Sequence, residues 1–287
     1  MYCYDNTRFH AWHQFGRRKL GRMDGNPGSP IRLAFAEAGD GPPLLLLAGL
    51  GCDRDFWAGH LPLLAGRVRA IAPDNRGSGE SAAGPGPYSA REMAGDALAL
   101  LDELGVDRVD VVGHSLGGMI ALEMALAAPS RVRSLALAAT AARAHPRTAA
   151  CLEVAAGLWE RGCAPELLVK TFLTWTTSGR CLADEEFVRR AVGRQLAPRV
   201  PQSLEAWKAQ AAAVTGFDAR GRLDGIRCPA LVAAGDEDVL FPLAVTRELA
   251  EGIEGARLAV SPGTGHNGVA EDAPGFCGTL LEFLPKA

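Results

Sequence analysis

Seven short apolar runs recur along this chain, and helical patterns separate most of them. They cover residues 31–39, 42–50, 67–75, 109–113, 132–140, 229–236 and 256–263. An uninterrupted run such as Pro42 to Leu50 cannot turn one face to water, so it calls for a strand covered on both sides. Strand–helix alternation of this kind predicts an α/β fold: a mostly parallel, twisted sheet with helices on both faces. Ser89 and Glu92 form a capping-box pattern ahead of a helix that Gly105 should stop. Further helices are expected across 119–128 and 243–253. One stretch breaks the rhythm. Residues 142–223 hold helical patterns without a strand, together with Trp159, Phe172, Trp175, Phe187 and Trp207. The expected organisation is a core of residues 31–141 and 224–287, a helical cap (lid) of 142–223, and an N-terminal extension of 1–30.

A length of 287 residues suits one large domain or a domain with an inserted lid. The net charge is −3, from 30 basic and 33 acidic residues, which provides no field for nucleic acid or an anionic membrane. The longest apolar run is too short to span a bilayer. The seven cysteines are widely spaced and include no C-x-x-C pair, so neither a disulfide framework nor a zinc site is suggested. Free thiols suit a reducing cytosol, and a cytoplasmic location is expected. The first residues carry Arg8, Arg17, Arg18, Lys19 and Arg22 without the apolar core of a secretory signal. The expectation is an upstream start codon before Met23 or a loosely held extension, with a basic targeting segment as the alternative. His10 and His13 with Cys3 do not define a coordination shell, so no metal is expected there.

The chemistry concentrates where one strand must become a helix, at Gly113-His114-Ser115-Leu116-Gly117. Such a turn forces strained backbone angles at the serine, and a side chain at either glycine would collide with neighbouring backbone. It presents a hydroxyl at the carboxyl end of a strand and at a helix N-terminus, where developing negative charge is favoured. A serine needs a base to attack. His10 and His13 lie in the N-terminal segment. His114 adjoins Ser115 and should point away from it. His60 falls in a helix and His145 enters the cap. His266 remains, in a glycine-rich loop straight after a strand. An orienting carboxylate is offered by Asp236, Glu237 and Asp238 at the end of the preceding strand.

From about residue 30 onward the chain resembles the α/β-hydrolase superfamily. Asp74-Asn75-Arg76-Gly77-Ser78-Gly79-Glu80-Ser81 is similar to that family's D-x-R-G-x-G-x-S loop. Gly235-Asp236-Glu237-Asp238 with Pro242 is similar to its G-x-x-D-x-x-x-P, which implies Asp238 as the acid. Gly265-His266 with Glu271 and Phe276 is similar to its G-H-x-x-x-x-E-x-x-x-x-F ending, which implies His266 as the base. The order nucleophile, acid, histidine also matches. One departure stands out. The family commonly has His-Gly at the end of the strand that donates to the oxyanion hole, and this chain has Ala48-Gly49-Leu50-Gly51. The donor there is a backbone N–H, so Leu50 and Leu116 are the implied donors. "AGLG" followed by "CDRDFW" is similar to esterase and enol-lactonase members.

The resemblance implies a serine hydrolase that cleaves a carboxylic ester or lactone through an acyl-enzyme on Ser115, with no metal or organic cofactor. Carbon–carbon bond hydrolysis, thioester hydrolysis and cleavage of a carrier-bound methyl ester use the same triad. Haloalkane and epoxide chemistry is disfavoured, since similar members have aspartate in place of Ser115. A non-catalytic, receptor-like ligand-binding role is the rival from another class. The cap aromatics suit either an apolar substrate pocket or the cap's own core. Gly49, Trp175 and Phe241 are the candidate pocket residues. Cys52 reads as a packed thiol, and Arg76 and Glu80 as a salt bridge holding their loop.

Overall fold

The computed structural model describes residues 30–198 and 200–286. The N-terminal expectations, including His10, His13, Cys3 and Met23, lie outside the described residues. Seven strands form one sheet: β1 (Phe35–Ala38), β2 (Pro43–Leu47), β3 (Arg69–Pro73), β4 (Val109–His114), β5 (Val132–Ala138), β6 (Ala230–Gly235) and β7 (Arg257–Ser261). Their spatial order is β1-β3-β2-β4-β5-β6-β7, antiparallel only at β1 and β3. All seven apolar runs became strands, six of them a few residues shorter than the run and β4 one residue longer, ending on His114.

The side chains of β2 show why its run is continuous. Leu45 and Leu47 enter one core layer, Leu44 and Leu46 enter the layer on the opposite face, and all four are fully buried. Burying each contributes about 1.5–3 kcal/mol. The first layer is completed by α2 (Ala90–Glu103), α3 (Leu116–Ala127) and α9 (Leu243–Gly252). The second rests on α1 (Leu61–Leu64), Trp57 and α10 (Ala273–Phe283). The capping box is present: Ser89 Oγ accepts from Glu92 N–H, and the Glu92 carboxylate accepts from Ser89 N–H. Helix α3 is buried nearly all round, as an apolar helix with no polar face must be. It starts at Leu116, three residues earlier than its apolar pattern, because Gly117 and Gly118 are helical residues placed for close approach.

Between β5 and β6 stand α4 (Pro146–Glu160), α5 (Pro165–Thr176), α6 (Gly179–Leu182), α7 (Glu185–Leu196) and α8 (Leu204–Thr215). Their neck is closed where Ala219 N–H donates to Ala142 O at 2.7 Å, beside an isolated bridge between Arg143 and Asp218. Trp159, Phe172, Trp175 and Trp207 meet in an aromatic cluster, with ring centroids 5.8 to 6.1 Å apart. Among the described residues, no helix is long and apolar enough to cross a membrane.

Candidate active site

Connections run from β2 to β3 in one direction and from β4 to β5 in the other, so the sheet's switch point lies between β2 and β4. A crevice opens at the carboxyl ends of such strands. Leu47 on β2 is in register with Gly113 on β4. β2 ends at Leu47 and β4 at His114, and they are followed by Ala48–Gly51 and by Ser115.

The turn at Ser115 is strained, with φ 55° and ψ −118°. Backbone of this kind costs about 1–3 kcal/mol and persists only where neighbours enforce it. Here Ser115 N–H donates to Ala138 O at 2.9 Å. The flanking glycines are sterically required. A Cβ on Gly113 would stand 2.2 Å from Gly117 O, and one on Gly117 would stand 2.1 Å from Leu47 O.

Three side chains from three loops converge. Asp238, after β6, uses Oδ1 to accept from Leu240 N–H and Phe241 N–H at 2.8 and 2.9 Å. Its Oδ2 accepts from His266 Nδ1–H at 2.9 Å. That bond leaves His266 Nε2 as an acceptor, and Ser115 Oγ–H donates to it across 3.0 Å. All three residues are buried. The other two acids of the turn are exposed. Asp236 accepts from Gly263 N–H, and Glu237 accepts from Gly179 N–H of the insertion.

The histidine loop is held from several directions. His114 points away from Ser115 and donates Nε2–H to His266 O at 3.0 Å. Burial, with His266 alongside, pushes His114 down to about 3, so it is a neutral donor. Asn267 N–H donates to Thr176 O at 2.8 Å, and Glu271 accepts from Ser178 N–H and Gly265 N–H. Gly265 makes this contact possible, since a Cβ there would lie 2.8 Å from Ser178 N. His60 is not in a helix but just ahead of one. It donates to Val269 O, and burial pushes it down to about 4.

As the first residue of α3, Leu116 has no intrahelical acceptor for its N–H. Leu50 lies in the turn closed by Cys52 N–H on Gly49 O at 3.2 Å. Gly49 abuts Ser115: a Cβ on it would reach 3.2 Å from Ser115 Cβ. Phe241 is buried with its ring 5.6 Å from the His266 ring, where it backs the imidazole. Trp175 is half-buried against Phe172, one residue ahead of the Thr176 carbonyl that binds the histidine loop.

The loop of residues 74–81 is scaffold, but its ion pairs differ from the sequence expectation. Arg76 and Glu80 each pair elsewhere. Arg76 forms a bidentate bridge to Asp96 at 2.7 and 2.8 Å. Glu80 joins buried Arg54, which also meets Asp74 at 2.7 Å. Both partners sit outside the local motif, which is why the motif alone suggested a pairing within it. Burial pushes the Cys52 thiol up to about 12, in keeping with a packed thiol.

Sequence reasoning missed Gln210 and had Trp207 only as one of the cap aromatics. Gln210 is fully buried and accepts from Gly51 N–H, while the Trp207 ring lies 3.5 Å from where a Gly51 Cβ would stand. The available signal was a lone polar residue on the buried stripe Ala206, Ala209, Gln210, Ala213. A separate cleft of about 330 Å³ at the neck is lined by Arg143, His145, Arg220, Asp224 and Glu248 and includes none of Ser115, Asp238 and His266. Among the described residues, no group of three or more His, Cys, Asp or Glu is placed to hold a metal.

Residues 42–161 match the model of the alpha/beta hydrolase fold family. A protein of Azorhizobium caulinodans described as "Putative carbamate hydrolase RutD" is 35% identical over 88% of this chain and 97% of its own length. A hydrolase from Pseudomonas aeruginosa PA01 superimposes with a TM-score of 0.81 at 30% identity, covering 93% of this chain and 98% of that one. The enol-lactonase from Burkholderia xenovorans LB400 gives 0.79 at 28% identity, covering 88% and 96%. Relatedness of this extent means that the chain belongs to the α/β-hydrolase fold family and is a hydrolase.

Proposed function

We propose that this hydrolase cleaves a small apolar carboxylic ester or lactone through an acyl-enzyme on Ser115. The observation that carries the reading is the unbroken relay from Asp238 through His266 to Ser115, ending on a hydroxyl held at φ 55°. His266 Nε2 takes the Ser115 proton as Oγ attacks the carbonyl carbon. The tetrahedral oxyanion is met by Leu50 and Leu116 N–H groups, each worth roughly 2.7–4 kcal/mol of transition-state stabilisation. His266 then returns its proton to the leaving alcohol. Water, deprotonated by the same imidazole, attacks the acyl carbon and frees Ser115. Asp238 fixes the Nδ1–H tautomer and stabilises the imidazolium. The likeness to an enol-lactonase supports a substrate of this class, as do the aromatics of α4, α5 and α8.

One observation favours a second reading. The Azorhizobium relative is named for carbamate hydrolysis. A carbamate offers the same attack at carbonyl carbon with nitrogen on the acyl side, so Ser115 would carry a carbamoyl group. A panel of p-nitrophenyl esters, lactones, methyl esters, thioesters and aryl carbamates, run on wild type and Ser115→Ala, tests both. Turnover of esters or lactones lost in the variant supports the first reading. Turnover of carbamates alone replaces it with the second. Equal background rates from both proteins, with saturable ligand binding, leave the receptor-like role.

A further inference from the structure

The segment Ala48–Gly51 is gripped from both sides by side chains that the proposed reaction does not use. On one side, Asn75 Nδ2 donates to Ala48 O at 2.8 Å. On the other, Gln210 of α8 accepts from Gly51 N–H at 3.0 Å, across 159 residues of sequence. Gln210 Nε2 donates to Arg76 O at 2.8 Å and to Ser78 Oγ at 2.9 Å. Gln210 has no solvent exposure, so its amide can be satisfied only by these three partners. Gly51 itself sits at φ 76°, a conformation that other residues rarely adopt. The insertion therefore reaches directly into the loop that carries the Leu50 N–H.

The geometry points to Gln210 as a positioning residue that aims the Leu50 N–H at the developing oxyanion. Asn75 holds the Ala48–Gly49 peptide unit and Gln210 holds the Leu50–Gly51 unit, so the unit between them, which carries the Leu50 N–H, has its rotation limited from both ends. The donor is then aligned only while α8 is seated on the core, so the insertion completes the site as well as covering it. This rests on the hydrolytic reading above. Misplacing a catalytic group by about 1 Å costs on the order of 100-fold in rate.

The test uses full-length protein and p-nitrophenyl butyrate. Gln210→Met and Gln210→Asn both remove the acceptor from Gly51 and should lower kcat by about 10- to 100-fold, with KM within about twofold. Ser78→Ala removes another partner of the same amide and spares Gly51, so its kcat should stay within about twofold of wild type. In the wild type, the Gly51 amide should exchange slowly with solvent. Folded Gln210 variants that keep wild-type kcat overturn the inference, as does a loss confined to KM or rapid Gly51 exchange in the wild type. An active wild type with unaffected variants overturns the inference alone. A wild type without Ser115-dependent turnover overturns the hydrolytic reading and this inference with it.

Discussion

Acid should destabilise this protein through His60 and His114, neither of which takes part in the proposed chemistry. Burial pushes their folded-state values from 6.5 to about 4 and about 3. Both values lie below the unfolded one, so between them the unfolded chain binds protons that the folded chain refuses. The stabilisation is whole above pH 6.5 and is lost as the pH falls toward the folded values. At about pH 4.5 the unfolded chain holds nearly two protons on these residues and the folded chain few, a cost on the order of 2–3 kcal/mol each and about 5 kcal/mol together. That is comparable with the whole stability of many domains. Urea unfolding from about pH 7.5 to about 4.5 measures it, with wild type compared against His60→Gln/His114→Gln. The double variant should show a pH slope flatter by about 5 kcal/mol over that range. Identical slopes would refute the assignment of these histidines as buried and neutral.

Other perturbations address the site and its scaffold. Asp238→Asn should lower kcat on the order of 10⁴-fold with little change in melting temperature, because the amide favours the wrong histidine tautomer; steady-state kinetics with p-nitrophenyl butyrate checks it. Gly117→Ala puts a methyl 2.1 Å from Leu47 O, so expression should give no soluble, cooperatively melting protein. Arg54→Met leaves Asp74 buried without its cation and should cost about 3–5 kcal/mol in chemical denaturation.

The strands were readable because a doubly covered strand must be apolar along its whole length, as Leu44 to Leu47 are. The convergence of Ser115, Asp238 and His266 was readable because each follows a strand at the same sheet edge. What escaped depended on distant partners. Arg76 needed Asp96 and Glu80 needed Arg54, and no local spacing announces either pair. Helix α3 was read as starting late because Gly117 and Gly118 carry a turn signature. In the structure they are glycines because Leu47 O and the Thr140 side chain come too close for any side chain. Gln210 escaped because its role is defined by Gly51, Arg76 and Ser78, all far away along the chain. The insertion's helix ends were equally hidden, since their caps, such as Asp184 and Ser203, differ little from ordinary surface residues.

The proposed chemistry requires a covalent intermediate on Ser115, which can be trapped. Wild-type protein mixed with p-nitrophenyl butyrate, quenched in acid within one turnover and digested, is read by mass spectrometry. One butyryl group is expected on the peptide carrying Ser115. No adduct is expected in Ser115→Ala, with turnover reduced on the order of a million-fold. Rapid turnover without an adduct in the wild type, retained in Ser115→Ala, would contradict that chemistry.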